Sequence, residues 1–245
     1  MSRSQSFLNL LPSSPGLCLA LLGGGGKTSL LLHLGREFAQ QNTRVLLTSL
    51  TRAGHCENPS IILTKSQDAL SLTSLFRIQN PVYLLHSRIR PDKYQGLLPD
   101  ELERLKSQAD VTLFECDGSR NRPLKAHTAG DPLVPAFTSH VIIVIGADVI
   151  DTNLHDGNVH RPEQFQTLWE IPGNPVMDIA MVTRTVTHPK GYPAKIPATV
   201  EKIYFVNKAD LYPEKAESLA RSIARETSAA VCWGSVNDGW WQSVS

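Results

Sequence analysis

Apolar residues in this chain fall into short, nearly unbroken runs, and the stretches between them space their apolar residues as helices do. The runs are Leu17–Leu22, Arg44–Thr48, Pro81–His86, Val111–Gly118, His140–Gly146, Lys202–Val206 and Ala229–Trp233. Continuous apolar runs of this length predict strands covered on both faces, as in a parallel sheet. Between them, Thr28–Gln40 carries Leu30, Leu31, Leu34 and Phe38 on one helical stripe. Leu97–Ala109 sets Leu98, Leu102 and Leu105 against Glu101, Glu103, Arg104 and Lys106, and Pro213–Thr227 is amphipathic in the same way. The alternation predicts an α/β fold, a doubly wound and mainly parallel sheet with helices on both faces. Weaker signals suggest a short strand at Ile61–Thr64 and a short helix at Asp68–Phe76, while the proline leading Pro81–His86 suggests an edge strand. Residues 171–200, rich in proline around a helical patch at Val176–Thr183, read as an irregular excursion within a single domain spanning 1–245.

The first run ends in Gly23, Gly24, Gly25 and Gly26, followed by Lys27, Thr28 and Ser29 at the head of the first helix. Strand, glycine turn and helix in this order are the layout of a phosphate-binding loop, so the expected fold is P-loop NTPase-like. Glycines let the backbone approach phosphate oxygens where a Cβ would obstruct. Lys27 would reach the β- and γ-phosphates, and the Thr28 or Ser29 hydroxyl would hold Mg²⁺. The spacing is the short form, with Leu21 where a first glycine usually stands. A dinucleotide fingerprint fits less well, since its third glycine would fall on Thr28 and it has no use for Lys27.

Further along, Val111–Gly118 ends in Glu115 and Asp117, two acids that strand alternation would place on one face. An acid at such a strand tip holds Mg²⁺ or positions water, and Asp117, nearer the carboxyl edge, is the stronger metal candidate beside Thr28. Lys27, Asp117 and Glu115 form the expected catalytic set. The hydroxyl-rich exit Thr48–Arg52 should lie at the same sheet edge. The loop Ser119–Pro135 offers Arg120, Arg122 and Lys125, and Ala147–Arg161 adds His160 and Arg161, a candidate γ-phosphate or acceptor site. The run Lys202–Val206 leads into Asn207, Lys208, Ala209 and Asp210. After a late strand this Asn-Lys-x-Asp pattern suits guanine. Asp210 would accept the base N–H groups, Asn207 would donate towards N7, and the Lys208 stem would pack on the base. Adenine would leave the carboxylate unpaired.

Composition changes this picture little. At 245 residues with 41% hydrophobic content, the chain can bury a sizeable core. Its formal charge of +1, with basic residues scattered, gives no case for a nucleic-acid or membrane partner. Cys18, Cys56, Cys116 and Cys232 are far apart and mostly within apolar runs, which argues for reduced thiols and no zinc framework. The first 16 residues hold too short an apolar stretch for a leader, interrupted by Pro12 and Pro15, and no window matches a membrane span. The expectation is a soluble cytoplasmic protein.

Six motifs occur in order: Gly24–Thr28, Glu115–Gly118, Arg122–Lys125 (Arg-Pro-Leu-Lys), Pro132–Pro135 (Pro-Leu-Val-Pro), Val159–Glu163 (Val-His-Arg-Pro-Glu) and Asn207–Asp210. Together they resemble the YqeC family, accessory proteins of selenium-dependent molybdenum hydroxylases, over about residues 17 to 235. Here Glu-Cys-Asp-Gly replaces the usual Glu-Ala-Asp-Gly, and Asp131 stands near an expected glutamate. The resemblance implies a P-loop nucleotide-binding protein in cofactor maturation, with a molybdenum hydroxylase or its maturation proteins as partners. The function expected from the whole sequence is a Mg²⁺-dependent factor that binds and hydrolyses GTP in preference to ATP. The alternatives are a small-molecule kinase using the Arg120–Lys125 loop as acceptor site and a non-catalytic, nucleotide-responsive chaperone.

Overall fold

A computed structural model of the chain describes residues 6–12, 16–66 and 71–244. Part of the amino-terminal stretch judged to lack a leader, and residues 68–70 of the expected Asp68–Phe76 helix, lie outside the described residues. In chain order the strands and helices begin with β1 (Leu17–Gly23), α1 (Lys27–Gln40), β2 (Val45–Ser49), β3 (Arg52–Gly54) and β4 (Ile61–Leu63). Next come α2 (Leu72–Phe76), β5 (Val82–Leu85), β6 (Ser87–Arg90), β7 (Lys93–Gln95), α3 (Pro99–Lys106) and β8 (Val111–Glu115). The second half holds β9 (Leu124–Lys125), β10 (His140–Gly146), β11 (Val159–His160), α4 (Pro162–Trp169) and α5 (Ile179–Thr187). It closes with β12 (Glu201–Asn207), α6 (Pro213–Glu226), β13 (Ala230–Ser235) and β14 (Trp240–Ser243).

Nine strands form one sheet in the order β14-β13-β12-β10-β1-β8-β2-β5-β4, parallel throughout except for the last pairing of β13 with β14. The apolar runs of the sequence supply its centre. Along β1, Leu17, Leu19 and Leu21 join the core with Leu30, Leu31, Leu34 and Phe38 of α1. Cys18, Ala20 and Leu22 point the other way, into a core with Leu102 of α3, Val182 and Val186 of α5, and Leu219 and Ile223 of α6. The strand pleat thus splits one continuous apolar run between two helical layers. The fold is the doubly wound α/β class expected, with helices on both faces.

Local chemistry sets the helix starts. Pro99 opens α3, Glu101 accepts the Leu98 N–H at 2.7 Å, and acidic residues at the first turn give way to basic ones at the last. Asp178 caps α5 by accepting the Met181 N–H at 2.7 Å. α1 has no side-chain cap; its preceding residue, Gly26, has φ of 119°, which only glycine adopts without strain.

Two expectations change, and one small sheet has no counterpart in the sequence pattern. Despite its leading proline, β5 pairs with both β2 and β4, so the edge belongs to the short β4. The proline-rich 171–200 region is not irregular throughout. It contains α5, docked on α6 through Thr183 and Ser222 (2.9 Å), and the buried Tyr192. A small antiparallel sheet, β3-β7-β6, lies between the main-sheet elements, built from mixed-polarity strands of three and four residues that carry no clear period.

Because Ile143 sits fully buried in β10 at the centre of the sheet, Ile143→Ala should lower the unfolding free energy by about 2–5 kcal/mol. A urea titration should show the midpoint falling with an unchanged slope.

Candidate functional site

β1 lies between β8 and β10, and the chain leaves it through α1 to β2 on one side while β10 and β12 extend the other. Loops at the carboxyl ends of such central strands converge on one crevice. The glycine turn sits there, and the residues around it explain its composition. A Cβ on Gly23 would come within 2.3 Å of the Val144 carbonyl oxygen, on Gly24 within 2.3 Å of the Arg122 carbonyl, and on Gly25 within 2.3 Å of the Gly146 nitrogen. Their N–H groups are committed as well: Gly23 donates to Asp117 (3.1 Å), Gly24 to the Val144 carbonyl (2.9 Å) and Gly25 to the Arg122 carbonyl (3.0 Å). In this structure the N–H groups of these three glycines are therefore bound within the protein. These glycines serve close packing of loop on loop. The donors left for an anion are the N–H groups of the first turn of α1, from Lys27 onward, which have no partner within a helix.

Lys27 is the first residue of α1 and is 4% exposed. Its ammonium donates to the Gly23 carbonyl (2.7 Å) and to Ser119 (3.3 Å), and lies 3.2 Å from Asp117 Oδ1. Burial acts to lower its pKa, but Asp117 and Glu115 outweigh burial and the net shift is upward. Asp117 is wholly buried. Besides Gly23 and Lys27 it meets His127 Nε2 at 2.8 Å and Lys125 Nζ at 3.5 Å. Burial would raise its pKa; Lys27, the His127 hydrogen bond and Lys125 overcome that and hold it well below the usual carboxylate range.

Glu115 has the opposite fate. The Thr28 hydroxyl donates to its Oε1 at 2.5 Å, and burial pushes its pKa up against the lowering pull of Lys27 and Thr28. Glu115 closes β8, whereas Asp117 lies two residues beyond it, so strand alternation does not fix their relation. Asp117 is locked beneath the loop by cations, and Glu115 is the acid beside the Thr28 hydroxyl.

Thr28, Ser29, Lys27 and Glu115 line a cleft of about 930 Å³. Its other walls come from Thr51 and Arg52 at the β2 exit, from Arg90 and Lys93 of the small sheet, and from Arg120, Lys125, His160 and Arg161. The predicted basic residues do converge. β9 pairs with β11, bringing Lys125 beside His160, while Arg122 donates to the Val159 carbonyl at 2.7 Å. Asp131 binds both Lys125 (2.5 Å) and Arg161 (2.5 Å), and Lys125 is only 1% exposed. Lys125 is thus a buried structural cation that braces Asp117 and Asp131, not a free one facing an acceptor.

At the end of β12, Asn207 donates from Nδ2 to the Gly25 carbonyl at 2.7 Å and accepts the Val236 N–H at 3.0 Å. It ties the glycine turn to the β13 exit. Lys208 adopts φ of 71° and pairs with Asp148 at 2.5 Å. Asp210 is exposed and its carboxylate has no hydrogen bond or ion pair among the described residues. Neither Lys208 nor Asp210 lines the 930 Å³ cleft.

Sequence reasoning missed His127, Ser119 and Tyr192. His127 stacks edge-on to Tyr192, whose hydroxyl donates to the Lys125 carbonyl at 2.9 Å and accepts the Lys125 N–H at 3.2 Å. Only the lone histidine of an otherwise aperiodic loop could have hinted at it; Tyr192, 67 residues from Lys125, gave no signal.

Fold and loop define a P-loop protein of the doubly wound α/β class. The family model described as "YqeC protein" matches residues 19–163. The "Uncharacterized protein YqeC" of Escherichia coli (strain K12) is 30% identical over 203 residues, covering 78% of this chain and 75% of that one. The chain belongs to the YqeC family. Among solved structures, FtsY from Mycoplasma mycoides superposes with TM-score 0.45 at 13% identity, covering 94% of this chain and 63% of its own. Chloroplast FtsY from Physcomitrella patens gives 0.44 at 15%, covering 99% and 66%. This chain thus spans less than two thirds of either FtsY chain.

The burial of Asp117 has a direct consequence. Asp117→Ala would leave Lys27, Lys125 and His127 around an uncompensated hole, and should destabilise by about 3–5 kcal/mol in chemical denaturation. In the wild type the contribution of Asp117 is complete above its unfolded pKa of about 3.9, and is lost as the pH falls towards the lower folded value. Acid titration of Asp117→Asn should lack that loss.

Proposed function

We propose that this chain is a Mg²⁺-dependent P-loop factor that binds and hydrolyses a nucleoside triphosphate, with guanine preferred. The observation carrying the reading is the open first turn of α1, with Lys27 and Thr28 beside Glu115 at the head of a 930 Å³ cleft. Helix N–H groups and a lysine there suit a polyphosphate. A phosphate would compete with Asp117 and the Gly23 carbonyl for the Lys27 ammonium.

The residues present fit Mg²⁺. Thr28 and Glu115 offer two oxygens at the cleft wall, and no group of three His, Cys, Asp or Glu side chains assembles a metal cage among the described residues. Such a sparse set suits Mg²⁺, which keeps waters and phosphate oxygens as its other ligands. The ion, when bound, would neutralise charge on the phosphates. Glu115 would accept the Thr28 proton or a water proton at its carboxylate. Asp117 would stay charged and hold Lys27 in place.

The guanine preference is supported by the free, exposed carboxylate of Asp210 two residues past the Lys208 turn, with Asn207 acting as the residue that positions the loop. The role in maturing selenium-dependent molybdenum hydroxylases, with a hydroxylase or its maturation proteins as partners, follows the motif resemblance. No helix among the described residues is long and apolar enough to cross a membrane, in keeping with a cytoplasmic setting.

Equilibrium binding should show GTP tighter than ATP by at least about tenfold, the value of charged hydrogen bonds from guanine to the Asp210 carboxylate that adenine does not make; equal affinities would remove guanine from the reading. Asp210→Ala should abolish the preference and spare triphosphate binding, whereas Lys27→Ala should weaken both nucleotides alike. Since Glu115 must be deprotonated to bind metal, and its pKa is raised, the apparent Mg²⁺ affinity should fall as the medium is acidified from neutrality. In Glu115→Gln that pH dependence should vanish; a profile unchanged by the substitution would remove Glu115 from the metal site.

A further inference from the structure

Beside the P-loop cleft lies a second hollow of about 460 Å³, lined by Arg120, Arg122, His160, Arg161 and Glu163 among others. Its volume is in the range of small-molecule sites. Arg120, His160 and Arg161 line both cavities, so the hollow adjoins the cleft.

Its charge is unbalanced. Among its lining residues Arg120, Arg122 and Arg161 stand against Glu163 alone, an excess of two positive charges, and Asp131 pairs with Arg161 from outside the lining. Arg122 and Arg161 are pre-positioned by the Val159 carbonyl and by Asp131. Arg120 is exposed and makes no hydrogen bond or ion pair among the described residues. His160 is buried, and burial together with Lys125, Arg161, Arg120 and Arg122 drives its pKa down to about 4. It is therefore neutral near pH 7, and adds a hydrogen-bonding group without adding charge.

Backbone geometry sets how the arginines are presented. Arg120 has φ of 51°, Asn121 of 62° and Arg161 of 62°. For arginine this left-handed conformation is strained. Two of the three arginines of the hollow adopt it; at Arg120 it belongs to the Ser119–Arg122 turn, closed by the Arg122 N–H donating to the Ser119 carbonyl at 3.1 Å, which presents the Arg120 side chain to the hollow.

We propose that this hollow is a second anion site that takes the phosphate group of a small phosphorylated molecule, held against Arg120, Arg122 and Arg161 beside the triphosphate end of the P-loop cleft. Guanidinium groups recognise phosphate through paired, charge-assisted hydrogen bonds, and a dianion matches the excess charge. The place beside the third phosphate rests on the nucleotide reading above; the anion site itself does not. A molecule held there would be the second substrate or the effector of the P-loop site.

The test is calorimetric titration of the full chain with phenyl phosphate and with inorganic phosphate at fixed low salt, with and without GDP and Mg²⁺. Phenyl phosphate should bind one site, unaffected by GDP and retained in Lys27→Ala. Arg120→Gln should weaken it about tenfold, the value of one charged hydrogen bond. Arg120→Gly should weaken binding equally while raising the melting temperature, because it relieves the left-handed strain; a loss of binding caused by misfolding would lower that temperature instead. A tighter fit for phenyl phosphate supports an organic ester as the occupant, and a tighter fit for inorganic phosphate supports the free anion. The proposal falls if neither probe saturates. It also falls if binding disappears in Lys27→Ala yet survives Arg120→Gln, since the P-loop is then the phosphate site. Arg120-dependent binding of hexaglutamate, with none of either phosphate, would make the hollow a protein dock and overturn the proposal. Failure of GDP to bind the wild type would sink the nucleotide reading alone, because phenyl phosphate binding to Lys27→Ala still tests the hollow.

Discussion

The carboxylate of Asp117 holds the centre of this molecule together. Fully buried, it is met by the Gly23 N–H, the Lys27 ammonium, His127 and Lys125. These groups come from the end of β1, the start of α1 and the loop between β8 and β10. A lone charge in that place would be prohibitively costly, so the arrangement is stable only when all its partners are present. It works as a clasp: fixing Asp117 fixes the glycine turn, and fixing the turn orients the first turn of α1.

The glycines belong to the same constraint. A backbone threaded between the β10 exit and the Arg122–Pro123 peptide has no room for a Cβ at Gly23, Gly24 or Gly25. Asn207 closes the arrangement from the far side by bridging the Gly25 carbonyl and the Val236 N–H. Four segments distant in sequence therefore set one loop, and its shape is defined by protein contacts. Rigidity of this kind places donors ahead of a ligand and reduces the ordering cost of binding it.

Much of this was legible in the sequence because it has a local period or a local motif. The central strands are continuous apolar runs, α1 and α6 have clear stripes, and Gly23–Ser29 has a spacing with a mechanism behind it. What sequence could not supply was pairing across distance. Glu115 and Asp117 are chemically alike and two residues apart, and only the fold shows that one meets Thr28 while the other meets Lys27. Lys125 looked like a free loop cation because nothing local announces Asp131 or Tyr192 as its partners. The edge position assigned to β5 failed because β4, three residues long, has too little pattern to be weighed against a proline. The small β3-β7-β6 sheet escaped notice for the same reason.

Two acids with opposite perturbations also divide the chemistry of the cleft. Cations surround Asp117, so it stays ionised and cannot exchange a proton with a bound molecule under ordinary conditions. Glu115 is buried with a hydroxyl as its close partner, and its raised pKa brings it nearer to the range where protons move. Environments that push like groups apart in pKa assign them different work. Here the fixed charge lies behind the lysine and the adjustable one faces the cleft, so the loop can be held rigid by one carboxylate while the other responds to what the cleft contains.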